Sequence, residues 1–114
     1  MQKKNFKGRC LKKQLSKCEG VCRTFSVLAD AYAEALENNE EIEQIRCNVL
    51  MEGLTLGDYT TDFVCKKTNG DLLVRECVLR KHLSKPLTVK QLDESSKFWM
   101  QHGVKDWGIV IDEE

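Results

Sequence analysis

The chain has 114 residues, enough for one domain with a single core, and its 18 basic and 18 acidic side chains cancel. A hydrophobic share of 41% excludes wholesale disorder. A charged share of 32%, with no apolar run longer than three residues, excludes a transmembrane helix or a signal-peptide core.

The cancelled charge is unevenly placed. Residues 1–18 hold seven bases (Lys3, Lys4, Lys7, Arg9, Lys12, Lys13, Lys17) and no acid, so the other 96 residues carry −7. The run predicts a basic arm over residues 1–15, able to lie along phosphates, ahead of an α/β domain over residues 16–114. Ser16 and Glu19 match a capping box. Cys18, Val21, Cys22, Phe25, Leu28, Tyr32 and Leu36 recur at three- and four-residue steps, so a helix is predicted over residues 17–37, stopped by Asn38-Asn39. Six acids and no base lie between Asp30 and Glu43.

The period then changes to two. Ile45, Cys47, Val49 and Met51 predict a strand, and Tyr59 to Lys66 a second, rich in Thr, Tyr, Phe and Val. Asn69-Gly70 predicts a type I′ hairpin turn into a third strand over residues 72–79. Pro86 precedes a second helix, for which Thr88-Val89-Lys90-Gln91 offers a capping box and Val89, Leu92, Ser96 and Trp99 a packed face, with Gly103 as its stop. Trp107 to Ile111 predicts a buried final strand. The order is αβββαβ, and the final strand joins the same sheet through a crossover.

The six cysteines (Cys10, Cys18, Cys22, Cys47, Cys65, Cys77) include no CxxC pair. Without a secretion signal, and with a core of its own, the chain is expected to keep them as reduced thiols in a cytoplasm. Cys18 and Cys22, four apart, would share a helix face that Cys10 could join as a partial zinc site; with no fourth ligand evident, zinc is not expected. His82 and His102 suit no Cys-His pair. Trp99 and Trp107 read as core or interface anchors.

Two acids stand in mid-strand, where acids are depleted: Asp62, in Asp-Tyr-Thr-Thr-Asp-Phe-Val, and Glu76, in Leu-Val-Arg-Glu-Cys-Val across the hairpin. On adjacent strands their carboxylates could converge on Mg²⁺, or each could pair with a nearby base such as Arg75, Arg80 or Lys66. Cys77, next to Glu76, would then point to the opposite, core-facing side.

These stretches, Tyr-Thr-Thr-Asp-Phe (59–63), the Asn-Gly hairpin and the acid at 76, resemble the N-terminal domain of TnsA-type transposon endonucleases, of the PD-(D/E)XK, restriction-endonuclease-like fold. The likeness runs over residues 16–111. It implies a central mixed sheet flanked by helices, metal binding by Asp62 and Glu76, and a third catalytic acid at Glu19. The family's lysine, two residues after the second acid, is Val78 here; Arg80 and Lys90 are the available substitutes, although arginine stays protonated and is a poor proton acceptor. The resemblance therefore implies a mobile-element protein that binds DNA or a nucleoprotein complex, such as transposase subunits, with weak or lost Mg²⁺-dependent endonuclease activity. The alternative is a small phage- or plasmid-encoded inhibitor of a defence nuclease such as a CRISPR effector, acting by protein or guide-RNA binding. No membrane partner is expected.

Overall fold

The computed structural model describes residues 11–53 and 59–112. Their elements are β1 (Leu11–Gln14), β2 (Val21–Thr24), α1 (Val27–Glu37), β3 (Ile42–Met51), β4 (Tyr59–Lys67), β5 (Leu72–Val78), a 3-10 turn (Arg80–His82), α2 (Pro86–Gln101) and β6 (Asp106–Ile111). From α1 onward the expected αβββαβ order holds. β3, β4, β5 and β6 form one sheet in chain order, antiparallel at the first two junctions and parallel at β5–β6. The parallel pair is the crossover that α2 makes possible. One core cluster joins α1 and β2 to one face of the sheet, and a second joins α2 to the other. No helix among the described residues is long and apolar enough to cross a membrane.

The helix predicted over residues 17–37 is half hairpin. β1 and β2 pair antiparallel from Leu11↔Thr24 to Gln14↔Val21. The turn between them passes through Gly20 at φ 79°, a conformation that opposes continuation of a helix. Within β2, Cys22 and Thr24 are buried while Val21 and Arg23 are exposed, a period of two that the three- and four-residue spacing concealed. The true N-cap of α1 is Ser26, whose Oγ accepts from the Ala29 N–H at 3.0 Å. Ser16, expected as a cap, instead donates its N–H and hydroxyl to Glu37 at 2.9 and 2.8 Å, which holds the Glu37 carboxyl below the usual range. Of the expected arm, residues 1–10 lie outside the described residues, with Lys3, Lys4, Lys7, Arg9 and Cys10 among them. Leu11–Gln14 belongs to the folded body as β1.

Three further local expectations change. Asn69 does not take the positive φ of a type I′ turn; Gly70 does, at 93°, and Lys67 N–H bonds to Asp71 O across a three-residue loop. The second helix starts at Pro86, with Lys85 as an N-cap that contributes no side-chain bond, so the Thr88 capping box is not used. Its buried residues are Leu92, Ser95 and Trp99; Val89 is exposed and Ser96 half-buried. β6 is an edge strand, so its residues are half-buried and Ile109 faces solvent.

Candidate functional site

The two nominated strand acids meet where the sheet changes its pleat. Cys47 of β3 stands opposite Phe63 of β4, and Val49 opposite Thr61, so Asn48 lies across from Asp62. Among the described non-glycine residues Asn48 alone has a positive φ, 54°, the left-handed region that asparagine tolerates best. At this level the alternation slips. Ile45, Cys47, Phe63 and Cys65 pack with the α1-side core, whereas Val49, Met51 and Tyr59 pack with the α2-side core. Thr61 follows the second group, bonding Met51 Sδ at 3.2 Å and Trp99 Nε1 at 2.8 Å.

The slip brings Thr61, rather than Asp62, over Glu76. Glu76 is 0% exposed. Its Oε2 accepts from Ser95 Oγ at 2.6 Å and Thr61 Oγ1 at 3.0 Å, and its Oε1 from the Asp62 N–H at 3.2 Å. Trp99 Nε1 donates to Thr61 Oγ1 at 2.8 Å, and Trp107 Nε1 to Ser95 Oγ at 3.0 Å. Both tryptophans are thus anchors with satisfied indole N–H groups, as amphipathic aromatics require when buried. In return, Asp62 Oδ2 accepts from the Cys77 N–H at 2.7 Å. The β4–β5 register runs from Lys66↔Leu72 only to Phe63↔Arg75. Beyond it, each acid takes a backbone N–H of the opposite strand, and the two carboxylates bridge the strands where the ladder stops.

This arrangement joins Asp62 to Glu76 and leaves the other nominated residues elsewhere. Glu19 sits exposed in the β1–β2 turn, on no helix. Among the described residues the one set of three or more metal-ligating side chains whose donor atoms lie within 4.8 Å of one another is Cys18, Cys22 and Cys47; Glu19, Asp62 and Glu76 do not form such a set. Val78 is buried and pairs with Ile111 of β6. Arg80 has left the strand for the 3-10 turn, where its N–H donates to Asp112 Oδ1 at 2.5 Å; Lys90 is exposed on α2. Arg75 turns away from Glu76 to Asp106, at 2.7 Å, beside Lys67 at 2.7 Å. Those two cations hold the Asp106 carboxyl below its ordinary range, with Lys67 the larger influence.

The opposed charge runs of the sequence meet each other. Lys13 bridges Asp30 at 3.3 Å and bonds Glu34, while the Lys17 N–H donates to Glu37 at 3.1 Å and its Nζ to Asn39 O at 2.6 Å. Lys12 is exposed. The longer acid-free stretch among the described residues lies elsewhere: between Glu76 and Asp93 come Arg80, Lys81, His82, Lys85 and Lys90. Lys81, Lys85 and Lys90 are all exposed.

The thiols divide between packing and convergence. Cys65 is buried, and burial pushes its thiol up to about 12. Cys77 packs against the α1-side core, as strand alternation predicts. Cys22 Sγ lies 2.6 Å from Cys47 Sγ. Sequence spacing pointed to Cys18 and Cys22 but on a helix, and Cys47 is 25 residues from Cys22, so no local signal linked it to them.

No protein-family model matches this chain, and no curated protein matches it.

Proposed function

We propose that the chain is a DNA-binding domain of restriction-endonuclease-like fold, of the transposon-endonuclease kind, that holds duplex DNA without cutting it. In support of the fold, the α1–β3–β4–β5–α2–β6 order, with the four strands in one mixed sheet, is the order the resemblance implies. The observation that carries the loss of cleavage is the environment of Glu76. This carboxylate is sealed from solvent and accepts from two hydroxyls and a backbone N–H, an arrangement that stabilises a strand junction and leaves it closed to a hydrated cation. Val78, in the lysine position, can neither orient water nor stabilise a pentacovalent phosphate.

For binding, the exposed Lys81, Lys85 and Lys90 supply a cationic segment free of acids. Lys13, by contrast, is engaged by α1. Phosphate contacts of this kind give sequence-independent affinity that falls with salt, by about 0.9 in log K per log unit of salt for each phosphate contacted.

Fluorescence anisotropy on a short labelled duplex tests this reading. Salt-sensitive binding is expected, weakened about tenfold or more by the triple variant K81E/K85E/K90E, with no nicking of supercoiled plasmid in Mg²⁺ or Mn²⁺. Nicking that disappears in Asp62→Ala would restore an active nuclease. Absence of DNA binding, with retention on an effector nuclease complex, would replace this reading by that of an inhibitor.

A further inference from the structure

We propose that Cys18, Cys22 and Cys47 form a binding site for a thiophilic d¹⁰ metal ion, Zn²⁺ foremost, which fastens the β1–β2 hairpin to the four-stranded sheet. The three sulfurs come from separate places in the fold, the hairpin turn, β2 and the middle of β3, yet all lie within 4.8 Å of one another. A zinc ion held at about 2.3 Å from each thiolate spaces its sulfurs about 3.8 Å apart. The trio is therefore already gathered to that scale. The one close approach, Cys22 to Cys47 at 2.6 Å, has to open by about 1 Å, a small side-chain rotation.

The backbone around the trio is tied on both sides. Cys18 N–H donates to Leu15 O at 3.1 Å, closing the turn, and Ile45 N–H donates to Lys17 O at 2.9 Å, tying that turn to β3 two residues before Cys47. Cys18 and Ile45 form a parallel bridge. On the other side, Asn48 Nδ2 donates to Arg23 O at 2.8 Å, linking the residues that directly follow Cys47 and Cys22. Asn48 adopts its positive φ at this link, so the backbone turns sharply immediately after a ligand. Cys22 is buried, while Cys18 and Cys47 are half-buried, so the sulfurs are largely shielded from solvent. Three thiolates and a divalent ion leave the site at −1, and Lys13, opposite Cys22 in the hairpin register, stands beside it together with its partners Asp30 and Glu34. Three protein sulfurs leave the fourth zinc position to water or another donor.

The chemistry selects the ion class. Thiolates favour Zn²⁺ or Cu⁺ over Mg²⁺ and Ca²⁺, which take oxygen ligands. A disulfide between Cys22 and Cys47 is the competing outcome, and it has no use for Cys18.

The test uses the full chain, purified with a non-thiol reductant, stripped of metal and titrated with Zn²⁺ against a chromophoric chelator, with Co²⁺ as the spectroscopic probe. The expected result is one ion per chain at submicromolar Kd and a thiolate-to-cobalt charge-transfer band, the ion displacing protons from the thiols as it binds. Cys18→Ser, at the half-buried turn where folding is least disturbed, is expected to weaken binding roughly 100-fold or more, as are Cys22→Ser and Cys47→Ser. Cys77→Ala is expected to bind as the parent does. Bound Zn²⁺ should also protect Cys18, Cys22 and Cys47 from alkylation while leaving the Cys77 rate unchanged. Stoichiometric Cu⁺ binding without Zn²⁺ binding would keep the three-thiolate site and assign it a cuprous ion. The proposal is overturned if the reduced chain binds neither ion, if the triple serine variant C18S/C22S/C47S binds as tightly as the parent, or if a Cys22–Cys47 disulfide resists the reductant.

Discussion

The two faces of the sheet both bury reactive side chains, and they treat them in opposite ways. On the α2 face a single carboxylate, Glu76, is enclosed by Thr61, Ser95 and the Asp62 N–H, with two indoles closing the network behind the hydroxyls. On the α1 face Cys18, Cys22 and Cys47 approach one another, and thiols are weak hydrogen-bonding groups that pack as small apolar residues. An acid cannot be buried without donors, so its surroundings evolve into a closed structural unit. A thiol can be buried at small cost and keep its capacity for a soft ion. Glu76, which looks catalytic in the sequence, is thus held by hydrogen bonds on every side, whereas the thiols that look like core filler converge on one another.

The largest expected effect comes from removing the acid. Glu76→Ala leaves a cavity and strands two buried hydroxyls and an N–H, and a loss of about 3–5 kcal/mol is expected in urea unfolding. Glu76→Gln, which keeps an acceptor and the volume, is expected to lose less than half of that. Equal, small losses in both variants would break the contrast between the faces. Next is Thr61→Val, near in shape but without the hydroxyl that joins Trp99 to Glu76. A loss of about 2–3 kcal/mol is expected, with a shift in tryptophan emission, because the Trp99 N–H and Glu76 both lose a partner.

Asn48 stands at the change of face, and its substitutions sharpen the comparison. Asn48→Ala should cost about 1–2 kcal/mol, from the left-handed backbone and the lost bond to Arg23 O. Asn48→Gly restores the backbone freedom and should recover the larger part, as thermal melting would show.

The smallest effect concerns Asp106, outside both networks. Its folded pKa is depressed by Lys67 and Arg75, so its contribution is present above the ordinary aspartate value, about pH 4, and fades as the pH falls through the lowered folded value. Because the pair is partly exposed, Asp106→Asn should cost at most about 1 kcal/mol at neutral pH. The difference should vanish in strong acid and shrink in high salt; a constant difference across that titration would exclude the ion pairs as its source.

Much of this fold is legible locally. The strands around Cys47, Phe63 and Val74 are announced by their β-branched and aromatic residues, and the helix stop at Gly103 and the hairpin at Asn69-Gly70 carry their own punctuation. The failures share a cause. Residues 16–24 satisfy a helical spacing and a strand alternation at once, and it is packing against α1 and β3 that selects the strand. Ser16 and Thr88 match capping patterns whose positions are filled instead by Ser26 and Lys85, since a four-residue motif does not specify where the helix begins.

The charge pattern shows the same division. Composition and order determined that a basic stretch precedes an acidic one, that two acids lie in neighbouring strands, and that six thiols accompany them. Tertiary structure decided that Lys13 answers Asp30 and Glu34, that Thr61 takes the place beside Glu76, and that Cys47 meets Cys18 and Cys22. Alternation along a strand can be read from sequence only while the pleat is unbroken. Here the break falls at Asn48, whose left-handed backbone stands where Val49 and Met51 pass to the other face and whose side chain bonds to Arg23 O, 25 residues away.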